Sequence, residues 1–128
     1  MTLHHTLVLA VLAGLGLSAQ ASELRRAEFP IEGRYIAVFK QPALSSRLSA
    51  ADTEAALARF AEDTTVDLAA RHGLQVEHVY GHAVQGFSFA VGKNKGAIEA
   101  LLKDPRVAYV EEDGLVFLSA TQSNAPWG

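Results

Sequence analysis

Val107-Ala108-Tyr109-Val110 places apolar side chains at four consecutive positions and then breaks into three carboxylates, Glu111, Glu112 and Asp113. Apolar residues at both parities mark a strand that is covered on both faces. In a chain of 128 residues, helices can cover one of those faces, and the other needs a partner. The tail that follows, Leu115-Val116-Phe117-Leu118-Ser119, is apolar, too short for another domain and without helical periodicity. It is expected to lie extended along a surface or inside something else.

Upstream, Arg34 to Lys40 reads as a strand with Ile36 and Val38 on one face and Tyr35, Ala37 and Phe39 on the other. Ser49-Ala50-Ala51-Asp52 fits a capping box, and Leu57, Phe60, Ala61, Thr64 and Leu68 follow at helical spacing. Gly73 is the expected residue just past the helix end. The β-branched run Thr64-Thr65-Val66 marks where that helix would kink or break. Two further strands, Gln75 to His82 and Val84 to Val91, are joined around Gly81-His82, with Phe87, Phe89 and Val91 sharing the core parity. Asn94 is positioned to cap a short helix that runs to Leu102, and Pro105 stops it before the last strand.

Strand, helix, strand, strand, helix, strand is the ferredoxin-like βαββαβ order, an α+β fold. Right-handed crossovers put both helices on one face of a four-stranded antiparallel sheet. Tyr35, Phe39 and Tyr109 are then expected on the bare face, where an apolar surface serves as a docking site. A generic ferredoxin-like binding or dimerisation module fits the same pattern, and its binding would survive removal of Leu115 to Gly128.

Met1 to Ala21 reads as a secretory signal, with an apolar run from Leu7 to Leu17 and small residues in Ala19-Gln20-Ala21 ahead of a cut after Ala21. Residues 22–33 read as a loose leader punctuated by Pro30 and Gly33. The expected division is thus a signal at 1–21, a leader at 22–33, the folded domain at 34–113 and a tail at 114–119. The chain is expected to be secreted, to the periplasm or outside the cell, with no membrane association once the signal is removed.

The formal charge of −3 and the lack of a basic block remove the electrostatic ground for nucleic-acid binding. Gly86-Phe87-Ser88-Phe89 loosely echoes the aromatic strand of RNA-recognition domains, yet Gln85 stands where that motif wants a basic residue. Cysteine is absent, so disulfides and thiolate chemistry are excluded. His78 and His82 would lie far apart along a strand, which disfavours a metal site, and no serine sits in a nucleophile motif. No catalytic group and no cofactor are expected.

Three blocks carry a family resemblance: Tyr35-Ile36-Ala37-Val38-Phe39-Lys40, Gly86-Phe87-Ser88-Phe89, and Leu102-Lys103-Asp104-Pro105-Arg106-Val107-Ala108-Tyr109-Val110-Glu111-Glu112-Asp113. Together they resemble the subtilisin propeptide family, inhibitor family I9, over about Arg34 to Leu118. Ala120-Thr121-Gln122-Ser123-Asn124-Ala125-Pro126-Trp127-Gly128 is similar to the start of mature proteinase K-like subtilases. The resemblance implies an inhibitor and intramolecular chaperone of a subtilisin-like serine protease, acting in cis or in trans. The open sheet would pack on two protease helices, whose amino termini Glu111, Glu112 and Asp113 would cap, and Leu115 to Ser119 would enter the cleft as a product-like strand. Processing would fall between Ser119 and Ala120, or after Leu118. A precursor remnant with no role of its own is the rival reading within the family.

Overall fold

Residues 22–116 are described by the computed structural model and form five strands and two helices. The expected signal, its cut at Ala21, and the positions Phe117, Leu118, Ser119 and Ala120 lie outside the described residues. The elements in chain order are β1 (Glu23–Arg25), β2 (Pro30–Phe39), α1 (Ala50–His72), β3 (Gln75–Tyr80), β4 (Gly86–Ala90), α2 (Ala97–Leu102) and β5 (Val107–Gly114). They make one mixed sheet in the order β1-β5-β2-β4-β3, antiparallel except where β1 runs parallel to β5.

α1 begins and ends where its local chemistry dictates. The Ser49 hydroxyl accepts from the Asp52 amide at 3.0 Å, which satisfies one orphan donor of the first turn. At the other end Gly73 takes φ 62° and its N–H returns to the Ala69 carbonyl, a left-handed cap that side chains with a Cβ resist. The helix does not break at its β-branched run. Thr65 is buried and its hydroxyl donates to the Ala61 carbonyl at 2.6 Å, so the polar group is satisfied inside the helix and the adjoining Thr64 packs inward with it.

α2 is shorter than expected, because Asn94 does not cap it. The Asn94 side-chain amide instead donates to the His72 carbonyl at 2.7 Å, closing the carboxyl end of α1. Gly96 takes the cap position instead, and α2 starts at Ala97, two residues later than an Asn94 cap implies.

One apolar cluster joins both helices to one face of the sheet. Ala37 and Phe39 of β2, Phe87 and Phe89 of β4, Val107 and Val110 of β5, Leu68 of α1 and Ile98 and Leu101 of α2 are all buried in it. Phe39 packs edge-on against Phe60 of α1 and tilted against Phe87, while Tyr35 stacks on Phe89. Tyr35 and Phe39 thus lie on the helix-covered face, and the expectation that they decorate the bare face is corrected. Both parities of β2 are apolar, and the face is decided by which aromatic rings interlock with Phe60, Phe87 and Phe89.

The sheet also has one strand more than expected, and residues 22–33 are not a loose leader. β1 pairs Glu23, Leu24 and Arg25 with Tyr109, Val110 and Glu111, and β2 already begins at Pro30. Between Pro30 and Tyr35, β2 carries three residues in excess of β5, a bulge that lets the strand start so early. β5 itself is anchored at its start by Arg106, whose guanidinium binds Asp104 at 2.9 and 3.0 Å and Asp67 of α1 at 2.9 Å. These bonds hold the Asp104 carboxyl below the usual carboxylate range and the Arg106 guanidinium above its own.

Candidate functional site

With both helices on the far side, the opposite face of the sheet has no layer over it among the described residues. Its composition can be read across the strands, since directly paired residues share a face. One row runs Arg25, Glu111, Ile36, Ser88, His78, and the next runs Glu23, Tyr109, Val38, Gly86, Tyr80. The centre of this face is therefore apolar or small, with Ile36, Val38 and Tyr109 half-buried and Tyr80 exposed. Its β5 end is acidic.

The three carboxylates do not act as a set. Alternation along β5 puts Glu111 and Asp113 on the open face, where neither has a side-chain hydrogen bond or ion pair among the described residues. Glu112 faces the other way. Its Oε1 accepts from the Ala27 amide at 3.0 Å and its Oε2 lies 3.9 Å from Arg26 Nη1. Its side chain is only 16% exposed. The grouping seen in sequence is thus split by the pleat into two free acids and one that fastens the segment before β2.

Tyr109 lies on the open face beneath a cation. The Arg25 guanidinium lies 3.5 Å from the ring centroid, while its Nε reaches Glu23 at 3.1 Å. Sequence reasoning missed Arg25, because Glu23-Leu24-Arg25 is too short for its alternation to mark a strand. Ser88 was missed as well. It sits at the middle of the open face, 5% exposed, with a buried hydroxyl that has no hydrogen-bond partner among the described residues.

β5 ends at Gly114, and beyond it Leu115 and Val116 stand 56% and 88% exposed. The Leu115 amide still donates to the Phe29 carbonyl at 2.9 Å, which ties the first residue past β5 to the segment before β2.

Other constellations do not come together. Phe87 and Phe89 are fully buried on the helix side, which withdraws them from any base-stacking role. His78 pairs across from Ser88, whereas His82 lies past the end of β3 with Nδ1 3.0 Å from Glu54 of α1. Among the described residues no group of three potential ligands is arranged to hold a metal ion, and no helix is long and apolar enough to cross a membrane.

Known proteins resemble this chain in sequence. The family model described as Peptidase inhibitor I9 matches residues 34–119. Among curated proteins, the chain is 30% identical over 107 residues to Alkaline serine exoprotease A of Vibrio alginolyticus, covering 79% of this chain and 19% of that protein. It is 33% identical over 118 residues to the Extracellular serine proteinase of Thermus sp. strain Rt41A, covering 87% and 28% respectively. It is 36% identical over 74 residues to the Subtilisin-like serine protease AsES of Sarocladium strictum, covering 52% and 19%. The chain spans less than a third of the length of each of these relatives.

Proposed function

The chain belongs to the peptidase inhibitor I9 family, and from that membership we propose that it inhibits a secreted subtilisin-like serine protease and assists its folding. The matched segment is an inhibitor domain, with no catalytic role of its own. The open face of the sheet docks on the protease, and the segment from Leu115 to Ser119 enters the substrate cleft as an added strand. The protease is either joined to this chain in one precursor or met in trans. Processing falls between Ser119 and Ala120, with a cut after Leu118 as the alternative register.

The observation that carries this reading is the junction at Gly114. Two carboxylates without a side-chain partner among the described residues stand beside the apolar centre of the open face, and just past them come the exposed apolar residues Leu115 and Val116. Glu111 and Asp113 suit the amino termini of partner helices, where the macrodipole and free N–H groups favour negative charge. Glu112, held by Ala27, is left out of that contact. Helix ends give orientation to a surface that flat apolar packing alone leaves free to slide.

Inhibition of a proteinase K-like protease by the chain, set beside the same chain ending at Gly114, tests the proposal. Loss of most of the potency on truncation supports tail insertion. Equal binding by both forms would instead favour a generic sheet-docking module, and no inhibition of several subtilases by the longer form would defeat the proposal.

A further inference from the structure

Residues 22–29 lie upstream of the family-matched segment, which starts at residue 34, yet they contact β5 between Val107 and Glu112 and the residue just past its end. At the start of β5, the Ser22 hydroxyl donates to the Val107 carbonyl at 2.6 Å. In the middle, β1 pairs with Tyr109, Val110 and Glu111, and Leu24 packs against the core. Toward the end, the Ala27 amide takes Glu112 as its acceptor, and the Phe29 carbonyl accepts from the Leu115 amide. The last contact falls on the first residue of the tail.

We infer that residues 22–29 form a positioning strap that closes the outer edge of β5 and fixes the direction in which the tail leaves the domain. The inference rests on the inhibitor reading above for its functional half, since a directed tail matters only if the tail has a cleft to enter. Without the strap, β5 has hydrogen-bonding groups open on one side from Tyr109 onward, and Leu115 loses its acceptor. A tail free to swing binds its cleft less tightly, because ordering it then falls within the binding step. The strap also commits Glu112 to the domain, so that Glu111 and Asp113 alone face the partner.

Two substitutions within the strap test this in the full chain. Ala27→Pro removes the N–H that Glu112 accepts, with Ala27→Gly as the control that keeps it. Leu24→Asp withdraws the apolar anchor of β1. Backbone amide exchange is followed at Leu115 and at the β2 and β4 amides, together with inhibition of a proteinase K-like protease. Ala27→Pro and Leu24→Asp are each expected to speed exchange at Leu115 by about tenfold, as loss of one buried hydrogen bond implies, with β2 and β4 protection unchanged. Inhibition is expected to weaken by a similar factor in both, and not in Ala27→Gly. Unaltered exchange at Leu115, or an equal rise in β2 and β4, overturns the strap. Faster exchange at Leu115 with undiminished inhibition overturns its role in guiding the tail. If the unsubstituted chain inhibits no subtilase, the inhibitor reading fails by itself, while the exchange data still decide whether the strap exists.

Discussion

The guanidinium of Arg25 lies 3.5 Å from the ring centroid of Tyr109 on the open sheet face. It ties β1 to β5 through side chains as well as backbone. Arg25 is exposed, so the contact is worth about 0.5 to 1 kcal/mol. Arg25→Ala should lower the stability of the chain by that amount in urea unfolding followed by circular dichroism. A variant unchanged in its urea midpoint would show that Tyr109 gains nothing from the cation.

Glu111 and Glu112 are neighbours with opposite duties, and substitution should separate them. Glu112→Ala leaves the Ala27 amide without its acceptor, and is expected to cost about 1 to 3 kcal/mol of stability. Glu111→Ala removes no bond within the described residues and should leave the unfolding midpoint in place. If Glu111 caps a helix of the proposed protease, its loss should weaken inhibition by about 0.3 to 1 kcal/mol. Paired measurements of unfolding and inhibition on both variants check this, and a stability loss in Glu111→Ala would reject the division of roles.

Ser88→Ala should stabilise the chain. The hydroxyl is buried on the open face without a partner among the described residues, and an unsatisfied buried group carries a desolvation penalty of about 1 to 3 kcal/mol. The methyl of alanine fits where the serine Cβ already lies. A rise in thermal midpoint is the expected result, and a fall would mean that the hydroxyl is bonded in solution.

The parts of this fold that were legible in the sequence are those set by local chemistry. Ser49 and Gly73 bracket α1 because a hydroxyl acceptor and a left-handed cap work within a few residues of chain. Phe87 and Phe89 fall in the core because Gly86 and Ser88, which alternate with them, leave one apolar parity. β2 gave no such choice. Ile36 and Val38 are as apolar as Tyr35 and Phe39, and only the rings of Phe60, Phe87 and Phe89, distant in sequence, select the face. β1 was illegible for another reason. Its three residues pair with the backbone edge of β5, and Ser22 and Ala27 on either side bond Val107 and Glu112, all of them partners about 85 residues away that three residues of local sequence do not announce. The acidic run at 111–113 was visible as a site feature, but its division between two faces required the pairing register.

Acid should loosen the start of β5 before it reaches neutral parts of the core. The Asp104 carboxyl is held below its ordinary value of 3.8, chiefly by its side-chain hydrogen bonds from Arg106. A depressed folded-state value means that its contribution is complete above about pH 4 and is lost as pH falls further through the folded-state value. Stability measured from pH 6 down to pH 2 should therefore decline below about pH 4, and Asp104→Asn should be less stable at pH 6 and show a shallower decline. Parallel curves for the two chains would remove Asp104 from the acid response.

Gly86→Ala should be among the most damaging single substitutions in the sheet, and the reason is local to one strand crossing. Gly86 pairs with Val38 on one side and Tyr80 on the other, so β4 is flanked there by backbone on both sides. A Cβ at this position would overlap the Ala37 carbonyl oxygen and approach the Val38 Cα within 3.1 Å. Both contacts are main-chain atoms of β2, the strand that also carries β5, so neither can move without breaking the register on its two sides. Ala37 is wholly buried under the helices, which closes the remaining direction of escape. The expected loss is about 3 kcal/mol, at the upper end for overpacked cores. For a small domain without disulfides this is a large fraction of the whole stability, of the order of 5 to 15 kcal/mol. Ser49→Ala, which removes only the α1 cap, should cost about 1 kcal/mol and sets the scale for an ordinary local defect. Urea unfolding of the two variants side by side checks the ranking, and a Gly86→Ala midpoint above that of Ser49→Ala would show that β4 and β2 approach less closely than this glycine implies.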